Sequence, residues 1–315
     1  MSPRTASPDP TIVATFYRFV DLPDAAHLKP QLLDLGQQHN LKGTILLAAE
    51  GINATVAGSR SALDALFAFF NSDRRLAHLP VRESIATTPP FQRFKVKLKA
   101  EIVTLGQPEA NPNHQVGTYV TPQDWNRLIQ DPEVLVIDTR NDYEVSIGSF
   151  QRAINPHTDR FRDFPAYVQQ HLDPQQHRKV ALFCTGGIRC EKATSFLLNQ
   201  GFESVYHLKG GILSYLETVS PEESLWDGEC FVFDERVAVT HDLEPGHYDL
   251  CPSCGHPLAE ADRQSPAYEP GICCPACVDH LTPEKRQRQE MRRKTAQTNP
   301  QSSAKAKFYG QHHEN

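Results

Sequence analysis

Four apolar residues, Val180 to Phe183, end on Cys184, and Thr185, Gly186, Gly187, Ile188 and Arg189 follow before a helical stripe of Ala193, Phe196 and Leu197 that Gly201 stops. This strand, turn and helix limits the fold more than any other stretch of the chain. A strand without polar alternation has to be covered on both faces, as in a parallel sheet flanked by helices. A second apolar run, VLVID at 134–138, and a helix that Thr121 can cap and that carries Trp125 and Leu128 extend the pattern. Together they predict an α/β domain over residues 117–220.

The turn itself predicts chemistry. Successive backbone N–H groups from Thr185, Gly186, Gly187 and Ile188, with the positive end of the following helix, favour an anion at the centre of the loop. Cys184 supplies that anion as a thiolate, and Arg189 adds a fixed positive charge. In such surroundings a thiol pKa falls from about 8.5 to roughly 3.5–7.5. The bland alternative is a buried, inert cysteine. Cys190 has two readings, a thiol that resolves a sulfur adduct on Cys184 as a disulfide, or a small packed residue opening the helix. Asp138, Arg140 and Glu144 at the end of the VLVID strand either form a structural ion pair or steer substrate into the crevice where ligands collect.

Before residue 106 the pattern changes. TIVATFYRFV at 11–20 reads as a strand, and Leu28, Leu32, Leu33 and Leu35 as a helix ending at Gly36. A hairpin follows around Glu50-Gly51, then a helix through Ala62, Leu63, Leu66, Phe67 and Phe70, then a strand from Val81 to Thr87. The order β-α-β-β-α-β is that of a ferredoxin-like, acylphosphatase-like domain over residues 10–105, after a disordered stretch at 1–9. RFKVKLKAEIVTL alternates, with Phe94, Val96 and Leu98 towards a core and Arg93, Lys95, Lys97 and Lys99 on the other face. That stripe is either a solvated strand face or a set of RNA phosphate contacts, and like charges repelling one another in a chain of net charge −6 favour the polyanion. The turn-rich segment GQPEANPNHQVG at 106–117 marks the domain boundary.

Residues 221–282 read as a cysteine-rich module. Cys251 and Cys254 form one Cys-x-x-Cys pair, Cys274 and Cys277 a second, a spacing that suits a structural four-cysteine zinc site; a redox pair and free thiols are the alternatives. Cys273 could replace Cys274, and His256 or His280 could compete as ligands. The remaining stretch, 283–315, is basic and reads as a disordered tail, with eight Lys or Arg against three Glu from residue 281 onwards.

The opening MSPRTASPDP has neither a leader nor an anchor pattern, no apolar run reaches the length of a membrane span, and cysteines in close pairs suit a reducing cytoplasm. No nucleotide-cofactor motif and no sign of a protein partner is present.

The stretches DTRNDYEVSIGSFQRAINP (138–156), FCTGGIRCEKA (183–193) and VYHLKGGI (205–212) resemble a single rhodanese domain, whose six-residue loop cradles a persulfide sulfur. The related phosphatase loop is one residue longer, which argues against phosphate-ester hydrolysis. Ser149 stands where a histidine is common and Tyr215 where a tryptophan is common, a matter of packing. AEGINATVAGSR (49–60), PFQRFKVKLKAEIVTLG (90–106), Cys190-Glu191 and LWDGECFVFDERVAVTHDL (225–243) extend the likeness over nearly the whole chain, which resembles the bacterial rhodanese-containing tRNA uridine 5-hydroxylases. That resemblance implies a monooxygenase-type oxidoreductase that uses dioxygen as co-substrate, hydroxylates C5 of the wobble uridine at tRNA position 34, and passes through a cysteine persulfide at Cys184. It also implies tRNA as partner. The alternatives are a sulfurtransferase that moves sulfane sulfur to a small thiol or tRNA, and a binding module that keeps the loop only as an anion pocket.

Overall fold

A computed structural model describes residues 11–86, 90–234 and 236–298, in two compact units divided between Val103 and Thr104. The stretch 1–9, Thr87 and residues 299–315 of the expected tail lie outside the described residues.

The first unit runs β1 (Thr11–Phe19), α1 (Ala25–Gln38), β2 (Lys42–Ala48), β3 (Gly51–Gly58), α2 (Arg60–Asn71), β4 (Val81–Ala86) and β5 (Phe94–Leu98). Its sheet has the order β4-β1-β3-β2-β5, antiparallel except where β5 joins β2 in parallel. The β2–β3 hairpin closes with Ala48 opposite Gly51, leaving Ala49 and Glu50 as its two-residue turn. Ser59 caps α2, its Oγ accepting from the Ala62 N–H at 3.2 Å. Phe16, Ile45, Ile52, Leu32, Leu63 and Phe70, all buried, form the core between sheet and helices. Each contributes roughly 1.5–3 kcal/mol through the apolar surface it removes from water.

Two expectations need correction here. Helix α1 does not stop at Gly36 but continues to Gln38, because Gly36 serves packing: a Cβ there would stand 2.2 Å from the Phe94 ring. Val96 is buried and Phe94 half-buried as expected, but Leu98, the last residue of the edge strand, is 45% exposed.

The second unit contains a parallel sheet of order β6-β10-β9-β7, from β6 (Thr118–Val120), β7 (Val134–Asp138), β9 (Lys179–Phe183) and β10 (Ser204–Leu208). Between and after these lie α3 (Pro122–Gln130), α4 (Asp142–Val145), β8 (Gly148–Phe150), α5 (Phe164–His171), α6 (Ile188–Asn199) and α7 (Gly211–Thr218). Thr121 caps α3 as expected, its Oγ1 accepting from the Asp124 N–H at 3.3 Å. The turn-rich segment at 106–117 is tied to α6: Asn199 Nδ2 donates to the Glu109 carbonyl, and the Gly117 N–H donates to Thr194 Oγ1.

Residues assigned by sequence to the cysteine-rich module in fact complete the core of this domain. β11 (Trp226–Gly228) pairs with β8, and β12 (Cys230–Phe231) pairs with β13 (Ala238–Val239). Trp226, Cys230, Val232 and Val239 are buried with Trp125, Phe150, Phe183 and Tyr215; the rings of Phe183, Tyr215 and Trp226 meet Phe150 edge-on at 4.7–5.1 Å, and Trp125 is tilted against it at 5.9 Å. Tyr215 fits without strain because its hydroxyl donates to Asn126 Oδ1 at 2.6 Å and accepts from the Leu225 N–H at 2.9 Å.

β14 (Asp249–Leu250), β15 (Pro257–Leu258), α8 (Glu260–Gln264) and α9 (Pro283–Thr298) finish the described chain. Residues 283–298, expected to be disordered, are therefore helical. Thr282 Oγ1 accepts from the Lys285 N–H at 3.2 Å, Pro283 occupies the first turn, and Glu284 sits near the positive end of the helix dipole. Tertiary contact then holds the helix: Glu269 binds Arg286 at 2.6 Å and Arg293 at 3.3 Å, and Gln289 is buried.

Candidate active site

Cys184 sits at the C-terminal end of β9 and is 1% exposed, and the loop closes around its sulfur because Gly187 takes φ +102°, a conformation that favours glycine. The Gly187 N–H donates to Cys184 Sγ at 3.1 Å. Burial alone would raise the thiol pKa. The Cys190 thiol hydrogen bond, the Arg189 charge and the N–H groups of Cys190 and Gly187 outweigh it, so the Cys184 pKa is lowered to about 6. Cys190, fully buried, is pushed the other way by burial and by the neighbouring Cys184 sulfur, so of the pair Cys184 is the thiolate and Cys190 the thiol. Thr139 Oγ1 lies 3.6 Å from Cys190 Sγ and fixes its position.

Two further elements shape the loop. The N–H groups of Ile212 and Leu213, in the first turn of α7, donate to the carbonyls of Cys184 (2.9 Å) and Thr185 (3.1 Å). These carbonyls therefore point away from the sulfur. Gly211 allows the approach, since a Cβ there would stand 2.5 Å from both carbonyl oxygens. On the other side Glu144 grips Arg189 through two bonds, Nη1 to Oε1 at 2.6 Å and Nη2 to Oε2 at 2.8 Å. Burial would raise the Glu144 pKa, but the Arg189 charge more than offsets it and the carboxyl stays ionised. The Thr185 hydroxyl bonds both partners at 3.3 Å.

Asp138 and Arg140 form a second ion pair beside this one, and Arg140 Nη1 donates to the Glu144 carbonyl at 3.2 Å. Arg140 binds Asp138 at 2.6 Å, both side chains wholly buried, donates to the Gly148 carbonyl at 2.6 Å and lies 5.1 Å from the Trp226 ring centroid. Ser149 Oγ donates to the same Asp138 carboxylate at 2.9 Å. These two are structural, whereas Glu144 belongs to the loop.

Residues 11–102 match the family described as UPF0176 acylphosphatase like domain, and residues 121–218 match the Rhodanese-like domain. A tRNA uridine(34) hydroxylase of Picosynechococcus sp. is 60% identical over 279 residues, which are 89% of this chain and 94% of that protein. The chain belongs to the tRNA uridine(34) hydroxylase family. Among solved structures, a rhodanese-like domain from Anabaena sp. is 17% identical, covering 35% of this chain and 78% of its own, with a TM-score of 0.30. An acylphosphatase from Coxiella burnetii is 11% identical, covering 28% of this chain and 94% of its own, with a TM-score of 0.23.

This hydroxylase-family chain also has a second cysteine centre. The Sγ atoms of Cys251, Cys254, Cys274 and Cys277 lie within 4.8 Å of one another, with Cys254 to Cys274 at 3.6 Å and Cys274 to Cys277 at 3.8 Å. Sulfurs at the corners of a tetrahedron around a zinc ion, about 2.3 Å from it, would be roughly 3.8 Å apart, so the four residues fit a metal ion. Cys273 is outside the group, its Sγ donating to the Ala267 carbonyl at 3.6 Å, and neither His256 nor His280 joins it among the described residues.

Arg93, Lys95, Lys97 and Lys99 lie in the first unit. Lys95 and Lys97 belong to β5 and point away from the helix-covered face that Phe94 joins, while Arg93 and Lys99 flank the strand. Burial and the charges of Lys95 and Lys99 lower the Lys97 pKa.

The aromatic ladder beside the loop was not foreseen. The Tyr143 and Phe231 rings meet at 5.2 Å, Phe231 and Phe233 at 5.2 Å, and Phe233 is 43% exposed. The FVF alternation at 231–233 is the one sequence signal that could have shown it. Tyr248 and Leu250 pack into the same cluster, so the cysteine-bearing module is anchored next to α4.

Proposed function

We propose that this chain is a tRNA-modifying enzyme that hydroxylates uridine 34 to 5-hydroxyuridine with dioxygen, a monooxygenase-type reaction in which Cys184 is the reacting group. The observation that carries this reading is a thiolate held in a cradle of N–H groups within a chain 60% identical to a tRNA uridine(34) hydroxylase. One oxygen atom enters the C5–H bond and the other leaves as water, which takes up two electrons and two protons. Oxidation of the Cys184 thiolate and the Cys190 thiol to a disulfide releases two electrons and one proton, the second proton coming from solvent, and an external dithiol would then reset the pair. A persulfide on Cys184 suits the same cradle. Attack by the Cys190 sulfur on the Cys184 sulfur would then discharge that persulfide as hydrogen sulfide and a disulfide, the resolving role proposed for Cys190, with the two electrons leaving on the sulfide rather than on oxygen.

Arg189 and the N–H groups of the 185–188 loop act as electrostatic support for whatever anion the sulfur carries. Glu144 is a positioning residue that holds Arg189 in place. In the first unit, Arg93, Lys95, Lys97 and Lys99 contact RNA phosphates; the mutual repulsion that weighs on Lys97 supports a polyanion as their partner. The four-cysteine centre takes zinc as a structural ion, because four protein ligands leave no open position for substrate. No helix among the described residues is long and apolar enough to cross a membrane, and a tRNA substrate with paired thiols suits the cytoplasm.

Nucleoside mass spectrometry of tRNA from a strain lacking the gene, complemented with wild type or Cys184→Ser, tests the reading. 5-Hydroxyuridine should vanish in the deletion and return only with wild type. Loss of a thiolated base instead would make the chain a tRNA sulfurtransferase, and unchanged tRNA would overturn the hydroxylase reading in favour of a small-thiol sulfurtransferase or a binding module.

A further inference from the structure

The basic helix α9 has two faces with different fates. At 3.6 residues per turn, Arg286, Gln289 and Arg293 share one side, and that side is docked: both arginines bind Glu269, and Gln289 is 4% exposed. Arg288, Met291 and Arg292 lie on the opposite side with Lys294 at its margin, and all four are exposed. Glu284 is the acid of the helix that acts on this outer side, where three cations outnumber it. Glu290 acts on Arg286 at the docked side, and Glu284 acts on Arg288 alone from the first turn. Arg288 and Arg292, one turn apart, repel each other in the free helix.

We infer that the outer face of α9 is an RNA-binding surface that grips the phosphate backbone of the tRNA through Arg288, Arg292 and Lys294. This rests on the reading that the chain acts on tRNA, and adds a site in the second unit to the strand stripe of the first. Three considerations choose the occupant. The chain carries a net charge of −6, so a polyanion is repelled by most of it and drawn to the few places where cations are concentrated. The docking of Arg286 and Arg293 on Glu269 orders the helix beforehand, so binding need not order a flexible tail. An anionic lipid surface is the poorer partner, because a membrane-lying helix needs an apolar stripe and this face offers only Met291.

The test uses the full chain with Arg288→Gln, Arg292→Gln and Lys294→Gln combined, and titrates tRNA across a salt series. Three lost phosphate contacts at roughly 0.7–0.9 each should reduce the slope of log affinity against log salt by about 2 to 3, and weaken binding at 0.1 M salt on the order of a hundredfold. Without any variant, bound tRNA should protect Lys294 of the wild type from acetylation, read by mass spectrometry. An unchanged slope and affinity, or a Lys294 that stays reactive, overturns the inference while wild-type tRNA binding leaves the proposed function standing. Loss of binding to phosphatidylserine vesicles in the triple variant, with tRNA binding intact, would also overturn it in favour of a membrane. A wild-type chain that does not bind tRNA at all defeats the proposed function itself.

Discussion

Replacing Glu144 by Gln separates the two roles that a buried carboxylate beside a reactive thiol can have. The side chain is wholly buried, and its two oxygens accept from Arg189 at 2.6 and 2.8 Å, from Thr185 Oγ1 at 3.3 Å and from the Asn141 N–H at 3.1 Å. Glutamine keeps the shape but presents an NH2 group to one guanidinium N–H, and leaves the buried Arg189 charge without its hydrogen-bonded carboxylate partner, with only the Cys184 thiolate nearby. Breaking a buried pair in this way costs about 3–5 kcal/mol. At roughly 2–4 °C per kcal/mol for a body of this size, the Tm should fall by about 6–20 °C. The Glu144 pKa is depressed in the folded chain, so this stabilisation is present above the unfolded carboxyl value of about 4.3 and lost as pH falls through the lower folded value. The Tm gap between wild type and variant should therefore close in acid. The thiol reports on the positioning: Glu144 holds the guanidinium whose charge lowers the Cys184 pKa, so with glutamine in its place Arg189 is held less firmly and the midpoint of pH-dependent alkylation should rise above about 6. A variant with unchanged Tm, or one whose alkylation midpoint stays at about 6 or falls, would refute the assignment of Glu144 as the group that positions Arg189.

The remaining predictions concern the sulfur, the metal and the RNA. Iodoacetamide should alkylate Cys184 with a midpoint near pH 6, its thiolate lost below that value, and Arg189→Gln should move the midpoint upwards; a wild-type midpoint near the free-thiol value of about 8.5 would contradict the cradle. Cys184→Ser should fold normally and lose all modification of tRNA, because a hydroxyl forms neither thiolate nor persulfide near neutral pH; Cys190→Ser should also lose turnover, as the resolving role requires, and near-normal modification there would make Cys190 a packed residue only. Elemental analysis should find one zinc per chain, lost with several degrees of Tm in Cys274→Ser and retained in Cys273→Ser; loss in both would put Cys273 among the ligands. Lys95→Gln combined with Lys97→Gln should flatten the salt slope of tRNA binding by about one to two units without changing which tRNAs are chosen, and an identical slope would return the stripe to a solvated strand face.

Where local pattern carries the information, the sequence was enough. The apolar runs at 134–138 and 180–183 are strands of the parallel sheet, the first-unit strand and helix order is as read, and of the N–H groups near Cys184 those of Gly187 and Cys190 bond its sulfur. What was misjudged depends on partners far away in the chain. Glu144 was grouped with Arg140, four residues before it, yet it pairs with Arg189 on another element. Residues 226–239 were given to the wrong domain because strands of two or three residues have no period to read, and only the ring of Trp226 against Phe150 places them. Charge density hid α9, although Thr282-Pro283-Glu284 is a helix start, because Glu269, which cancels two of its arginines, is distant in sequence.

The same dependence explains why a glycine outside the cysteine loop bears on the reactivity of the thiol. A loop can stabilise an anion only if its N–H groups converge, and a peptide that turns its N–H inwards must turn its C=O outwards. Those carbonyls, buried, each need a donor. Here the first turn of α7 supplies it, since the unpaired N–H groups at its N-terminus bind the carbonyls of Cys184 and Thr185. Gly211 takes φ +67° and brings its backbone so close that any Cβ would collide with both oxygens, so alanine there strains the backbone and pushes α7 off the loop. The acidity of Cys184 is thus set by two helices at once, α6 lending N–H groups to the sulfur and α7 holding the carbonyls away from it.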